Sequence, residues 1–459
     1  MRALLSVASR EGISGFARGL EALGAEVYAT EGTRDHLAQD GIEAHPVSEL
    51  TGSEPFLGGQ VRTFHPSIYA GLLARRDRDD QLAELDQHGI QPIDLLAVNV
   101  KPFGAQVNRV GVAIDEAVEM IDVAGAALLS AAARNAAGVV VVSSPEHYPK
   151  VLAEIKERGL VSAELRAKLA AEAFATVAAY HAEIAAYLNQ LTSTTYPKRL
   201  AMVLEKVSDL GYGENPHQTA AFYRETTHRK GTLADASLLQ GSNPTFNNLL
   251  DLDAAYSVAT DFTTPTVCIS KHTDPVGIAS ADDLVEAYRR AVETDPVASF
   301  GAIVGVNRTL DGPTAREIAA ASYEAVIAPG FDDSAVATLR QKPGLELLSV
   351  PPGPTDGPGD YGIAKLDFKR IAGGLLLETV DELGLDRSQL HVVTKRRPTL
   401  EELTDLLFAW RGVRHVRSNA IILARNGATI GIGAGQASRQ VSVEIALRRA
   451  GDRAKTAVM

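Results

Sequence analysis

The stretch Thr266-Val-Cys-Ile-Ser-Lys271-His272-Thr-Asp274-Pro275-Val-Gly277 sets a basic pair at the end of a short apolar run. A run of that kind bounded by turn residues reads as a buried strand, and in open α/β sheets ligands bind beyond the carboxyl ends of strands. The residues after His272 read as a loop holding Pro275 and Gly277. An imidazole beside an ammonium is a proton acceptor, while the ammonium keeps its charge for a developing anion. A surface lysine next to a core histidine would give the same letters, so the pair alone fixes no reaction.

Other segments are too polar or too glycine-rich for a core. Gly211-Tyr212-Gly-Glu214-Asn-Pro-His217-Gln218 is one, and Thr245-Phe-Asn247-Asn248-Leu-Leu-Asp251 offers amides able to clamp backbone or ligand. Thr30-Glu31-Gly32-Thr33 reads as a glycine-containing turn feeding a helix that starts at Thr33 or Arg34, a ready anion site opposed by Glu31. Gly431, Gly433 and Gly435 do not make a dinucleotide fingerprint: the spacing is G-x-G-x-G and the preceding strand belongs to a hairpin. They read as places where a ligand or another strand comes close to the backbone.

The elements that must position these residues follow from periodicity. Residues 2–7, 25–29, 93–100 and 139–143 read as strands, and Glu11–Leu23 as a helix, which makes βαβ units and a parallel sheet. From Pro149 to Leu191 the chain reads as a helical connector whose stripe of Phe174, Val177, Tyr180, Ile184 and Tyr187 is core rather than a ligand box. Leu200–Leu204 opens the second half as a strand, and an Asn-Gly hairpin is expected at Arg425-Asn-Gly427. Residues 350–360 read as a Pro/Gly-rich exposed loop. The domains expected are 1–145, a connector at 146–198, and 199–459.

Composition narrows the class. A hydrophobic share of 45% with 22% charged residues is that of a globular chain, and a formal net charge of -12 argues against nucleic-acid or membrane-surface binding. Cys268 is the sole cysteine, so no intrachain disulfide or cysteine-built zinc cluster can form, and a cytoplasmic protein is expected. No apolar run is long enough to cross a bilayer.

Ordered motifs then carry a resemblance. Gly213-Glu-Asn-Pro-His-Gln218, Leu239-Gln-Gly241, Asn247-Asn-Leu-Leu-Asp251, Lys271-His272-x-x-Pro275-x-Gly277, Val326-Ile-Ala-Pro-Gly330, Ser418-Asn419-Ala420 and Gly431-Ile-Gly-Ala-Gly-Gln436-x-Ser-Arg439 resemble the bifunctional AICAR transformylase/IMP cyclohydrolase family. Gly58-Gly-Gln-Val-Arg-Thr-Phe-His65-Pro66 resembles its cyclohydrolase domain. The resemblance implies an α/β fold, with an N-terminal methylglyoxal-synthase-like doubly wound domain and a C-terminal cytidine-deaminase-like transformylase domain. It also implies two reactions: formyl transfer from the co-substrate 10-formyltetrahydrofolate to AICAR, then closure of formyl-AICAR to IMP, with no metal needed and a homodimer as the assembly. By resemblance His272, Lys271 and Asn419 are catalytic in formyl transfer, and Tyr212, Gly301, Glu324 and Arg439 bind substrate. Asp122 and Arg134 are the catalytic residues of ring closure, with Arg62, Thr33 and Lys101 binding substrate.

The chain also departs from the family pattern. Ala8-Ser-Arg10-Glu-Gly12, Glu31-Gly-Thr33 and Gly59-Gln60-Val-Arg62-Thr63 replace the expected phosphate-cradle turns, Lys101 stands where a tyrosine is usual, and Gly211 replaces an arginine. A weakened cyclohydrolase site is therefore expected. Met459 falls where the family continues into a last α/β piece, so the transformylase domain is expected to be incomplete. A non-catalytic paralogue serving as a binding or regulatory subunit, and a small-anion sensor built on the first domain, are the alternatives.

Overall fold

The computed structural model describes residues 1–107, 113–192, 194–226, 230–242, 244–353, 366–381 and 387–459, and these divide into two compact units at Val203/Leu204. In the first unit five strands, β1 (Arg2–Val7), β2 (Glu26–Ala29), β3 (His45–Pro46), β4 (Leu95–Asn99) and β5 (Val140–Val142), form a sheet of order β3-β2-β1-β4-β5. All neighbours are parallel. Leu95 to Val98 and Val140 to Val142 are buried throughout, as a sheet covered on both faces requires. The chain leaves β1 toward β2 on one side and returns to β4 on the other, so the topological switch lies between the carboxyl ends of β1 and β4.

Helix Ile13–Ala22 buries Ile13, Phe16, Ala17 and Leu20, and Phe16 stacks on Tyr148 at 4.2 Å between ring centroids. The helices Tyr148–Arg158 and Ala163–Leu191 bury Tyr148, Val151, Leu165 and Leu169 in the core that covers this sheet. Of the aromatic stripe, Tyr180 and Ile184 are buried, whereas Phe174 is 47% exposed. One expectation fails here: the helix after β2 begins at Glu31, so Glu31-Gly32-Thr33 is its first turn and not a loop before it.

The second unit is built on a mixed eight-stranded sheet. Strands β6 (Leu204–Leu210) and β7 (Ala220–Glu225) form a separate ribbon, as do β14 (Leu366–Ile371) and β15 (Gly374–Thr379). The remaining strands, β8 (Ser237–Gln240), β9 (Thr266–Lys271), β10 (Asp274–Ser280), β11 (Ala302–Val306), β12 (Tyr323–Ala328), β13 (Glu346–Ser349), β16 (Ile421–Arg425) and β17 (Ala428–Gly433), run in the order β16-β17-β10-β9-β11-β12-β13-β8. β9 is buried from Thr266 to Ser270, with Cys268 at its centre. The Asn426-Gly427 turn, with φ of 53° and 70°, joins β16 to β17 as expected.

Two readings are corrected. Residues 200–203 are not strand, which starts at Leu204. The segment after His272 is a strand rather than a loop, antiparallel to β9. Its proline misled: the pairing skips from Pro275 to Gly277, leaving Val276 as the extra residue of a bulge, where a missing N–H is tolerated. Finally, the element whose close approach requires glycine at 431 and 433 is a helix. A Cβ on Gly431 would lie 2.2 Å from the Ala446 carbonyl oxygen, and one on Gly433 2.0 Å from that of Ser442, so only glycine lets Arg439–Ala450 lie against β17. Of the Pro/Gly-rich loop, residues 354–360 lie outside the described residues.

Candidate functional sites

In the second unit the basic pair sits at a tight reversal. Lys271 pairs with Asp274 across a two-residue turn in which His272 (φ 56°) and Thr273 (φ 64°) both adopt left-handed backbone, the geometry of a type I′ hairpin. Side chains from elsewhere hold it. Asp251 of helix Phe246–Thr260 accepts the N–H of His272 at 2.9 Å and that of Thr273 at 2.5 Å. Arg417 donates its backbone N–H to Asp274 Oδ1 (2.9 Å) and its guanidinium to Thr273 Oγ1 (2.5 Å).

Neighbouring loops are knitted to the same turn. The Arg417 carbonyl accepts from Gly435 N–H at 2.8 Å, and Asn419 Nδ2 donates to the carbonyls of Gln436 (2.9 Å) and Ala437 (3.3 Å). The Asn419 carbonyl accepts from buried Ser442 Oγ at 2.8 Å, in the helix that Arg439 begins; Arg439 itself is exposed. Lys271 Nζ donates to the Phe300 carbonyl at 2.7 Å and lies 3.7 Å from where Gly301 would carry a Cβ. Gly301 has φ 66°, which favours glycine, and its N–H donates to the Ser322 carbonyl at 2.9 Å. β11 pairs Ala302 with Tyr323 and Ile303 with Ala325, so Glu324 is the extra residue of a second bulge. Buried Glu346 lies alongside, and burial together with the Glu324 charge raises its pKa.

Tyr212 is 38% exposed in the β6–β7 loop. Gly213 N–H to Gln218 O (2.9 Å) and Asn215 N–H to Gln218 Oε1 (2.7 Å) brace that loop, and Asn247 Nδ2 reaches Glu214 O at 3.4 Å. Asn247 and Asp251 lie one turn apart on a single helix face, so one element serves both the Tyr212 loop and the His272 turn. The structure thus brings Lys271, His272, Gly301, Glu324 and Asn419 to one edge of the sheet. That edge is the carboxyl end of β9 and the amino end of β11 and β12. Gln240 is structural: its Nε2 donates to the carbonyls of Lys342 and Leu345, both at 2.8 Å.

In the first unit the carboxyl ends of β1 and β4 hold a polar crevice. Asn99 Oδ1 accepts both Ala8 N–H and Ser9 N–H at 2.7 Å. Arg10 reaches across to the Val7 carbonyl (2.6 Å) and Thr33 Oγ1 (2.9 Å), over Gly32 at the start of helix Glu31–Gln39. Burial lowers the Arg10 pKa, with Asp35 pulling the other way. A cation beside a helix N-terminus is electrostatically unfavourable until an anion joins it. Thr33 is only 1% exposed and its hydroxyl is engaged by Val7 N–H and Arg10, so Arg10 rather than the Thr33 side chain faces outward. Sequence reasoning noted the Arg10 turn only as a departure; its position three residues past the end of β1 was the available signal.

Arg62 lines a cavity of about 350 Å³ with Thr30, Glu31, Arg34 and Glu54, and adjacent Thr63 Oγ1 is buried without a hydrogen-bond partner. Asp122 caps helix Val123–Arg134 by accepting Gly125 N–H at 2.8 Å, and its own N–H donates to Tyr180 Oη at 2.6 Å. Arg134 stands at the other end of that 12-residue helix, about 18 Å away, in a separate cavity with Arg75 and His88. The structure therefore does not bring Arg134 together with Asp122. Lys101 is exposed on the loop after β4. Among the described residues Glu146, His147 and Glu172 form the one His/carboxylate group with metal-ligand spacing, away from these residues in sequence.

Known proteins resemble the chain over most of its length. A family profile described as AICARFT/IMPCHase bienzyme matches residues 132–449, and one described as MGS-like domain matches 12–127. The chain is 41% identical to the bifunctional purine biosynthesis protein PurH of Thermoanaerobacter sp. (strain X514) over 458 residues, covering 100% of this chain and 88% of that protein. It is also 41% identical to the proteins of the same name from Anoxybacillus flavithermus and Rhodopirellula baltica, again over 100% of this chain and 88% of each.

Proposed function

Because this chain belongs to the AICARFT/IMPCHase bienzyme family, we propose that it makes IMP in de novo purine synthesis, formylating AICAR in the second unit and closing the ring in the first. The formyl donor is 10-formyltetrahydrofolate. The observation that carries the first step is the held turn: Lys271 and His272 sit on a reversal fixed by Asp251 and Arg417, with Asn419 tied to the same loops.

The AICAR amine attacks the formyl carbon as His272 takes its proton. The Lys271 ammonium, within reach of Gly301, offsets the charge on the tetrahedral oxygen. Collapse breaks the bond to the folate nitrogen, which takes up the proton held by His272 and leaves as tetrahydrofolate. Asn419, its amide nitrogen committed to backbone carbonyls, offers its side-chain oxygen to the substrate carboxamide. Tyr212, Glu324 and Arg439 are the further substrate contacts.

For ring closure, the Arg10 guanidinium over the start of helix Glu31–Gln39 and the unsatisfied Thr63 hydroxyl beside Arg62 support binding of the nucleotide phosphate. Asp122 and Lys101 act on the base, with Arg134, at the far end of the helix that Asp122 caps, as the further residue of this step. The relatives' bifunctional name supports retention of both steps, and no observation favours a non-catalytic subunit. A homodimer is part of the proposal: the two separate ribbons expose Val207, Tyr223, Leu375 and Leu376, and isolated two-stranded ribbons need further packing.

The test is direct. Purified protein with AICAR and 10-formyltetrahydrofolate should release tetrahydrofolate, and with formyl-AICAR alone should yield IMP. Absence of the first product would overturn the transformylase assignment.

A further inference from the structure

Asp251 is the feature of the second unit that the chemistry above uses least. Its helix, Phe246–Thr260, is covered on one side by core packing through Leu252, Ala255 and Tyr256, yet Asp251 turns its carboxylate onto two consecutive backbone amides of another element. Those amides belong to His272 and Thr273, two non-glycine residues with positive φ. Left-handed backbone is unfavourable for such residues, most of all for β-branched threonine, and persists only where surroundings over-determine it. Type I′ turns favour Asn-Gly at these positions, which is what the β16–β17 hairpin of the same unit uses, with Asn426 and Gly427. At that hairpin Asp405 accepts both turn amides at 2.7 Å. The device thus occurs twice, once on a turn that suits it and once on a turn that does not.

We infer that Asp251 is a positioning residue for formyl transfer: its carboxylate holds His272 and Thr273 in the left-handed turn that aims the His272 imidazole and the Lys271 ammonium at the reacting atoms. Arg417 secures the same turn from the opposite side through Thr273 Oγ1 and Asp274. A glycine at 273 would adopt this conformation with less need of the restraint, whereas threonine released from it would leave the left-handed region and misdirect its neighbour. This inference rests on the formyl-transfer reading.

The test is Asp251→Asn, which keeps the shape but places an amide N–H donor against one of the two backbone donors. Formyl transfer should lose about 30-fold or more in kcat with KM for AICAR changed less than about threefold. Ring closure of formyl-AICAR by the same protein should stay within twofold and serve as the folding control. Adding Thr273→Gly to Asp251→Asn should recover at least a third of the lost activity, because glycine adopts positive φ unaided, an outcome that a merely structural role would not give. Retention of kcat in Asp251→Asn, or loss of both activities with no recovery on adding Thr273→Gly, overturns the inference. A wild-type protein without formyl transfer overturns the functional reading instead, and this role with it.

Discussion

At the carboxyl edge of the parallel sheet, Arg10 and Thr33 are set by a strand end and a helix start that the surrounding core already fixes. In the second unit Lys271 and His272 ride instead on a hairpin turn whose backbone conformation must be held by Asp251 and Arg417. The contrast explains which departures from the family pattern each site can bear. An anion site set by a cation over a helix start depends mainly on charge, so it tolerates changes in its surroundings that keep the charge. A turn in a disfavoured conformation has no such latitude: its function depends on direction, and a small error of aim is costly.

The largest effect should come from removing the group that moves the proton. His272→Ala is expected to lower kcat for formyl transfer by roughly 10²–10⁴-fold while ring closure is unchanged, measured by tetrahydrofolate release and IMP formation on one preparation. Equal loss of both activities would erase the division between the units. Arg10→Ala tests the other side: KM for formyl-AICAR should rise by about 10- to 100-fold, the worth of a charge-assisted hydrogen bond, with formyl transfer unaffected.

Smaller effects sharpen the packing side of the contrast. In Gly433→Ala the new Cβ would meet the Ser442 carbonyl at 2.0 Å, against backbone that cannot step aside. It should destabilise by about 1–3 kcal/mol in urea unfolding, whereas Gly344→Ala, facing open space with no positive φ, should stay within about 0.5 kcal/mol. The smallest effect concerns pH. Burial lowers the His415 pKa, opposed by Asp261 at 3.1 Å, so the folded protein binds that proton less readily than the unfolded chain. The contribution is complete above about pH 6.5 and is lost as pH falls below it. His415→Gln should therefore flatten the fall in Tm between about pH 7 and 5 by a few degrees.

Much of this was legible in the sequence. The first unit's strands announced themselves as continuous apolar runs, because a parallel sheet covered on both faces has no polar side to alternate with. The basic pair and Asn419 were identified by type and order, and the structure brings them to one edge. What escaped was geometry that depends on distant partners. Pro275 hid β10 because its bulge is visible only once β9 is paired with it. Thr33 was named by resemblance alone, and the Arg10 guanidinium bonded to its hydroxyl is a partner that no spacing discloses. Arg134 was set beside Asp122 by resemblance alone, and the length of helix between the two shows only in the structure. Asp251 was read as part of an amide-rich clamp, whereas its carboxylate does the holding.

Cys268 carries a consequence of a different kind. It is the sole cysteine, sits fully buried at the centre of β9, and burial pushes its thiol pKa up, so it stays protonated and unreactive in the folded state. β9 pairs with β10 on one side and β11 on the other, so a reagent reaches this sulfur only when the middle of the eight-stranded sheet opens. The wild-type chain therefore contains a single-site chemical clock for the second unit. The rate at which a thiol reagent labels it at increasing reagent concentration reports how often the scaffold beneath Lys271 comes apart, with no mutation introduced.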